Sequence, residues 1–291
     1  MKPPIVDYRC PGTVSEAVGL LGEYGDDAKI LAGGQSLMPL LNMRFVYPTM
    51  LIDVNRLDEI GSIKPRDDRL VIGAMVRQGD AERSPVVHAG APLLAAALPH
   101  VGHFVTRNRG TVGGSVVHAD SRSEIPVVMA ALGGAAVVVS TSGKRTIAAA
   151  DLFLTHYTTS IAEDELLLET RWPLPRGSWG YAFREFSMRH GDYALGMVAC
   201  AVRRDTGVVA EASVVVGAVA DRPLVLDDVG AALVGERVDE ETAAEAGHLA
   251  AANVDPPSDL HASARYRRHL VGLLTERAVL AAWSDAAEGP S

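Results

Sequence analysis

The chain has 291 residues, 48% of them hydrophobic and 22% charged, with a formal net charge of −9. That length is long for one core and predicts two domains of ordinary soluble composition, and the acidic balance argues against a nucleic-acid partner, which calls for a basic face. Cys10 and Cys200 are the only cysteines, so this chain alone builds no iron–sulfur cluster, no structural zinc site and no disulfide framework. The segment 1–7 lacks the apolar core of a signal peptide, and no uncharged apolar run reaches about 18 residues, so the expectation is a cytoplasmic protein without a membrane span.

In chain order, 15–24 reads as a short helix, with Val14, Ala17, Val18 and Leu21 at helical spacing and Thr13 or Ser15 as the cap. Residues 28–31 predict a strand running into Ala32-Gly33-Gly34-Gln35-Ser36. The stretch 37–43 is apolar enough for a helix with Pro39 in its first turn, and 50–54 predicts another strand. Residues 1 to about 55 thus form a small β-α-β-like unit. A strand over 69–74, a helix over 91–98, a glycine turn over 110–114 and a buried helix over 126–132 follow. Then come a Val-rich strand over 135–140, a hairpin turn at Ser142-Gly143-Lys144 and a strand over 166–172 that Pro173 stops. The stretch 173–178 combines Pro, Gly and Ser and predicts the domain boundary. Strands over 180–186, 195–202 and 212–219, with amphipathic helices near 239–252 and 263–283, make the tail α+β.

The first glycine stretch is the chemical focus. Glycine has no Cβ, so the backbone reaches φ > 0 and approaches a ligand closely. Successive N–H groups in such a turn form a concave anion site, Ser36 adds a donor, and a helix opening near Leu37 adds its positive end. A diphosphate is the natural guest; a plain tight turn after a strand is the alternative. A second stretch, Arg107-Asn108-Arg109-Gly110-Thr111-Val112-Gly113-Gly114-Ser115, lies about 80 residues on and again places a small hydroxyl residue after glycines. The two close on one ligand only if the fold brings them together.

Other candidates divide the same way. His118-Ala119-Asp120 has no third ligand at metal-site spacing, which leaves packing or hydrogen bonding. Neither Ser36 nor Ser115 sits in Gly-x-Ser-x-Gly, the setting of a nucleophilic serine. Glu124 either accepts a hydrogen bond from a sugar hydroxyl or is a solvated helix-start residue. Tyr193, in the polar turn 189–194, either stacks on a planar ring or is a half-buried strand tyrosine. Arg107 with Arg109, and Arg265 with Arg267 and Arg268, keep small anions open, although the later group reads first as a solvated or subunit-facing helix side.

Nearly end to end, the chain resembles the FAD-binding medium subunit of the molybdenum hydroxylases, the group containing carbon monoxide dehydrogenase and the xanthine dehydrogenase-type enzymes. The residues that carry the resemblance are Lys2-Pro3 with Tyr8, Ala32 to Leu37 with Arg44, Pro48, Ile52-Asp53, Ile72-Gly73-Ala74, Arg107 to Gly114 and His118-Ala119-Asp120, then Arg189, Gly191-Asp192-Tyr193-Ala194 and Tyr266-Arg267. Within that group it resembles in particular the separate medium chain of carbon monoxide dehydrogenase, where a tyrosine stands in the place of Tyr193. The resemblance implies an α+β fold: a two-lobed FAD-binding domain of the vanillyl-alcohol-oxidase type over 1–176, with lobes of about 1–55 and 56–176, then a smaller α+β C-terminal domain over 179–288. It places FAD between the lobes, against Leu31, Ala32, Gly33, Gly34, Gln35, Ser36 and Leu37 on one side and Thr111, Val112, Gly113, Gly114 and Ser115 on the other. Glu124 falls where the family usually has an Asp bonding the cofactor, Leu167 where an apolar residue touches the flavin, and Tyr193 where one ring face is covered. Arg184 lies near a lysine position of some relatives. The chain departs from the family in Ser115 for the usual Asn, Ser121 for the usual Pro and Glu124 for the usual Asp.

The implied role is electron transfer. Substrate is oxidised at a molybdenum cofactor on a large partner subunit. Electrons cross two-iron two-sulfur clusters on a small partner subunit, reach FAD here and leave to an acceptor such as a quinone, NAD or dioxygen. The family arrangement is a dimer of heterotrimers, with a peripheral contact to a quinone-linked acceptor left open. No catalytic residue and no metal ligand is assigned to this chain. A self-contained FAD oxidase or reductase of the same fold, and a flavin-free scaffold subunit, are the alternatives.

Overall fold

The computed structural model, which describes residues 2–288, opens with a three-stranded parallel sheet. Asp7–Arg9 and Ala28–Leu31 flank the central strand Met50–Asp53. Periodicity does not announce Asp7–Arg9, because all three of its residues are exposed at the sheet edge. The helix Val14–Tyr24 buries Ala17, Val18 and Leu21, and the Thr13 side chain caps it by accepting from the Glu16 amide at 3.2 Å. Ser15 therefore lies inside the helix. The first glycine stretch follows the end of Ala28–Leu31, and the short helix Leu37–Asn42 opens directly after it.

A five-stranded antiparallel sheet follows, in the order Ile63–Arg66, Arg69–Gly73, Leu166–Pro173, Ala135–Ser140 and Gly143–Ala148. Its long strand breaks register between Leu167 and Glu169. Two expectations change here. The second glycine stretch is no turn at Gly113 and Gly114: Thr111 caps the helix Val112–His118, its hydroxyl accepting from the Gly114 amide at 2.9 Å, and both glycines are helical. The glycine at 113 serves close packing, since a Cβ there would lie 2.6 Å from Ala74 Cα. The next helix is Glu124–Ala131, two residues earlier than expected, which takes Glu124 into a buried first turn. Pro126 is tolerated there because first-turn amides have no helical acceptor.

Only Leu174 to Gly177 separate this sheet from a four-stranded antiparallel one: Ser178–Ser187, Ala194–Asp205, Val208–Gly217 and Leu224–Val225. The unbroken apolar run after Ala194 reflects burial on both faces. Met197 and Ala199 join the core that holds Ile125, Val127 and Val128, whereas Val198, Cys200 and Val202 join the core of the helices Glu240–Ala252 and Ala264–Glu288.

Arg267 fastens the last helix to that sheet. Its side chain is 0% exposed and donates to the carbonyls of Leu195 at 2.8 Å and Ala218 at 3.2 Å and to the Asp259 carboxylate at 2.8 Å. Arg268 bonds Asp255 and the Val254 carbonyl. These two arginines serve their own domain, which corrects the reading of a solvated side at Arg267 and in part at Arg268, while Arg265 and Tyr266 are exposed as that reading expects. Burial works against the Asp259 charge, but the Ala262 amide, Arg267 and the His261 amide outweigh it and hold the carboxyl well below its usual range. Arg267→Met takes the donor from the Leu195 and Ala218 carbonyls and leaves Asp259 with Arg122 as its remaining cation, and the expected loss of unfolding free energy in a urea titration is about 2–5 kcal/mol. A loss under about 1 kcal/mol contradicts this role.

Candidate functional site

The fold brings the two glycine stretches into contact. A Cβ on Gly33 would lie 2.3 Å from the Arg109 carbonyl oxygen and 2.8 Å from Gly110 Cα, so only glycine allows this approach. Ala32 faces Gly114: a Cβ there would stand 3.9 Å from Ala32 Cβ. Gly34 takes φ +73°, the left-handed conformation that turns successive amides to one side.

The two stretches differ in which amides are free. The N–H groups of Val112, Gly113, Gly114 and Ser115 already donate, to Val76 O, Ala74 O, Thr111 Oγ1 and Thr111 O. Those of Gly33, Gly34, Gln35 and Ser36 have no protein acceptor among the described residues, and the Ser36 hydroxyl is also unbonded. Gly33 is buried, and Gly34 and Ser36 are half-buried, so these amides call for a ligand or water. The first stretch is therefore the donor side of the site and the second its wall. Leu31 and Leu37 flank the donor side, both half-buried.

Arg107 is not available to a ligand. It forms a bidentate pair with Glu82, at 2.7 and 3.1 Å, and donates to the Val101 and Gly102 carbonyls. The cations beside the cradle are instead the exposed Arg109 and the half-buried Arg77, a residue that carries no motif signal. Arg77 donates to the Arg109 carbonyl at 2.5 Å and to Asn55 Oδ1 at 2.7 Å, and Asn55 Nδ2 donates to Ala32 O at 2.9 Å.

Beyond the second stretch lies a cavity of about 390 Å³ lined by Asp120, Arg122, His156, Tyr157 and Tyr193. Tyr193 is an exposed loop residue, not a half-buried strand tyrosine. The surroundings of its hydroxyl push the phenol up to about 12, through burial first and then the Asp120 charge. The Tyr157 hydroxyl donates to Asp120 Oδ2 at 3.4 Å, and its ring lies 4.9 Å from that of His118. Ala119 and Tyr157, joined by a hydrogen bond from the Tyr157 amide to Ala119 O, hold φ of 49° and 55°, as do few other non-glycine residues in the chain. Arg122 donates to Asp259 at 2.9 Å, which ties the cavity wall to the C-terminal domain.

Glu124 is buried rather than solvated, and burial, with Asp120 adding to it, pushes its carboxyl up to about 7. Glu185, not foreseen, is pushed up to about 8 by burial and by Glu124, and its Oε2 has no partner. Arg184 does not join the site. It is exposed, donates to the Phe183 carbonyl at 2.9 Å, and strand alternation puts it on the face opposite Phe183 and Glu185. Leu167 is buried in the core at the register break, one residue before the Leu168 carbonyl that accepts from the Ala74 amide.

A mixed helix and strand fold with uncommitted glycine-rich amides has the donor set of an anion-binding cradle suited to a nucleotide diphosphate, and comparison with known proteins specifies the class. Residues 4–175 match the family described as the FAD binding domain in molybdopterin dehydrogenase, and residues 181–282 match the CO dehydrogenase flavoprotein C-terminal domain. The chain is 39% identical to the alpha subunit of the 6-hydroxypseudooxynicotine dehydrogenase complex of Paenarthrobacter nicotinovorans, covering 95% of this chain and 94% of that one. It is 35% identical to the carbon monoxide dehydrogenase medium chain of Hydrogenophaga pseudoflava, over 99% of this chain and 100% of that one. It is similar to the crystal structure of quinoline 2-oxidoreductase from Pseudomonas putida 86, with TM-score 0.94, 38% identity and coverage of 98% and 99%. The chain belongs to the family of FAD-binding medium subunits of molybdenum hydroxylases, and is an oxidoreductase subunit that binds FAD.

The buried Glu124 and the half-buried Glu185 give a pH signature. Their carboxyls rise from 4.5 to about 7 and about 8 on folding, so the folded chain without ligand holds protons that the unfolded chain releases. The stability they contribute is complete below about pH 4.5 and is lost as pH rises through about 7 to 8. Glu185→Gln removes part of that loss. In denaturant titrations the variant is more stable than wild type at about pH 8.5, on the order of a few kcal/mol, and nearly equal to it at about pH 4.5. A difference that does not change with pH contradicts this.

Proposed function

We propose that the chain is the electron-transfer subunit of a molybdenum hydroxylase, passing electrons from iron–sulfur clusters on a small partner chain through FAD to an external acceptor. The observation that carries the reading is the row of uncommitted amides from Gly33 to Ser36 set against Arg109 and Gly110. That cradle suits the FAD diphosphate, an anion that takes several backbone donors at once. FAD supplies the redox chemistry and joins one-electron carriers to two-electron acceptors, while the protein supplies binding, orientation and electrostatics. Ala32 to Ser36 hold the diphosphate between Leu31 and Leu37, with Thr111, Val112, Gly113, Gly114 and Ser115 as the facing wall. Glu124 accepts from a cofactor hydroxyl, Leu167 supplies apolar contact, and Tyr193 covers a flavin face. The chain's two cysteines cannot ligate a cluster, so the electrons come from another chain.

The oxidised substrate is set elsewhere. Relatives named for 6-hydroxypseudooxynicotine, carbon monoxide and quinoline are 39%, 35% and 38% identical, so the flavin role is shared while the named substrate changes. A large molybdenum subunit carries the substrate site in this reading, and the whole is a cytoplasmic dimer of heterotrimers. No described helix is long and apolar enough to cross a membrane.

Purification of the tagged chain from its native cell, followed by absorbance and metal analysis, tests the assignment. Flavin with molybdenum and iron, in company with a large and a small chain, is the expected result. Flavin on a solitary protein moves the assignment to a self-contained flavoenzyme.

A further inference from the structure

We propose that Arg77 is the positioning residue of the diphosphate cradle, holding the two glycine stretches at a fixed spacing through Asn55 on one side and the Arg109 carbonyl on the other. The inference rests on the FAD reading above and concerns how this chain builds the site. The guanidinium is a rigid fork of donors. One arm donates to Arg109 O at 2.5 Å and the other to Asn55 Oδ1 at 2.7 Å. With its oxygen engaged, the Asn55 amide presents its nitrogen to Ala32 O, at 2.9 Å, and more weakly to Leu31 O, at 3.4 Å.

That bond sets the direction of a donor. Across a trans peptide the carbonyl and the next N–H point in opposite directions. Pinning Ala32 O toward Asn55 therefore turns the Gly33 N–H away from it, toward the open side. Gln35 acts in the same way one peptide later, its Nε2 donating to Gly33 O at 3.3 Å, which turns the Gly34 N–H outward. The strut is anchored at both ends. Arg77 bridges to Thr111 through two backbone bonds, Gln78 N to Gly110 O and Val112 N to Val76 O, both 2.9 Å. Asn55 is held by Asp53, which accepts from its backbone and side-chain nitrogens and from the Tyr8 hydroxyl.

The charge of Arg77 also suits this place. Its hydrogen-bond partners are neutral, and among the described residues it forms no ion pair. Burial and the neighbouring Arg109 both work to lower its pKa, with Asp80 and Asp53 partly offsetting them. Its charge therefore stands behind the pinned peptide, and its part in the cradle is the orientation of the Arg109 carbonyl directly and of the Ala32 carbonyl through Asn55.

Calorimetric titration of the full-length chain with FAD, ADP and riboflavin provides the test. Arg77→Gln removes the fork and the charge, and weakens FAD and ADP roughly ten-fold or more while riboflavin, which has no diphosphate, stays within about two-fold. Arg77→Lys keeps the charge without the fork and recovers only part of the loss. Asn55→Asp, a near-isosteric change that leaves Ala32 O without its donor, weakens FAD and ADP in the same pattern. Loss of FAD and riboflavin to the same degree, or unchanged FAD affinity in Arg77→Gln or Asn55→Asp, overturns the strut while leaving the FAD reading intact. A wild-type chain that binds neither FAD nor ADP overturns both.

Discussion

The approach of Gly33 to the Arg109 carbonyl is the constraint on which the larger part of the molecule depends. A single methyl group at Gly33 would stand 2.3 Å from that oxygen. Because the contact is possible, the end of a parallel strand in the first lobe and the start of a helix in the second form one surface. The surface is asymmetric. Amides 112–115 are turned inward and bonded to Ala74, Val76 and Thr111, which makes the second stretch rigid. Amides 33–36 are left open, which makes the first stretch receptive. Rigid wall and receptive turn together are what a site needs to bind an anion without first rearranging.

Charge is distributed to match. The chain carries −9 overall, yet the segment that meets Gly33 carries Arg109, and Arg77 bonds its carbonyl. The buried carboxyls of Glu124 and Glu185 lie toward the C-terminal sheet instead. That sheet belongs to the architecture of the site as well as to the second domain. One of its faces packs on the helix that begins with Glu124, and the loop that precedes its central strand carries Tyr193. The Arg122–Asp259–Arg267 chain of ion pairs and the bond from the Ala218 amide to Ser121 O hold the sheet against the cavity wall.

Much of this was legible in the residues. The 3.6-residue spacing of Ala17, Val18 and Leu21 marked the first helix, and the first glycine stretch marked a turn after a strand, both of which the fold has. Edge strands such as Asp7–Arg9 and Ile63–Arg66 escaped because exposed residues carry no apolar alternation. The helical state of Gly113 and Gly114 escaped because the capping hydroxyl of Thr111 outweighs the turn signal of glycine. Asn55, Arg77 and Glu185 have meaning only through partners 22 to 61 residues away or across a domain boundary, and no spacing rule reaches that far. Arg184, named through the resemblance, is exposed on the strand face opposite its neighbour Glu185, whose carboxyl feels Glu124.

Amide hydrogen exchange with and without FAD tests the central claim most directly, because it reads the donors one by one. The account predicts that the amides of Gly33, Gly34, Gln35 and Ser36 exchange readily in the chain alone and become strongly protected when FAD binds, while those of Val112 to Ser115 are protected in both states. FAD binding that leaves 33–36 unprotected would contradict it.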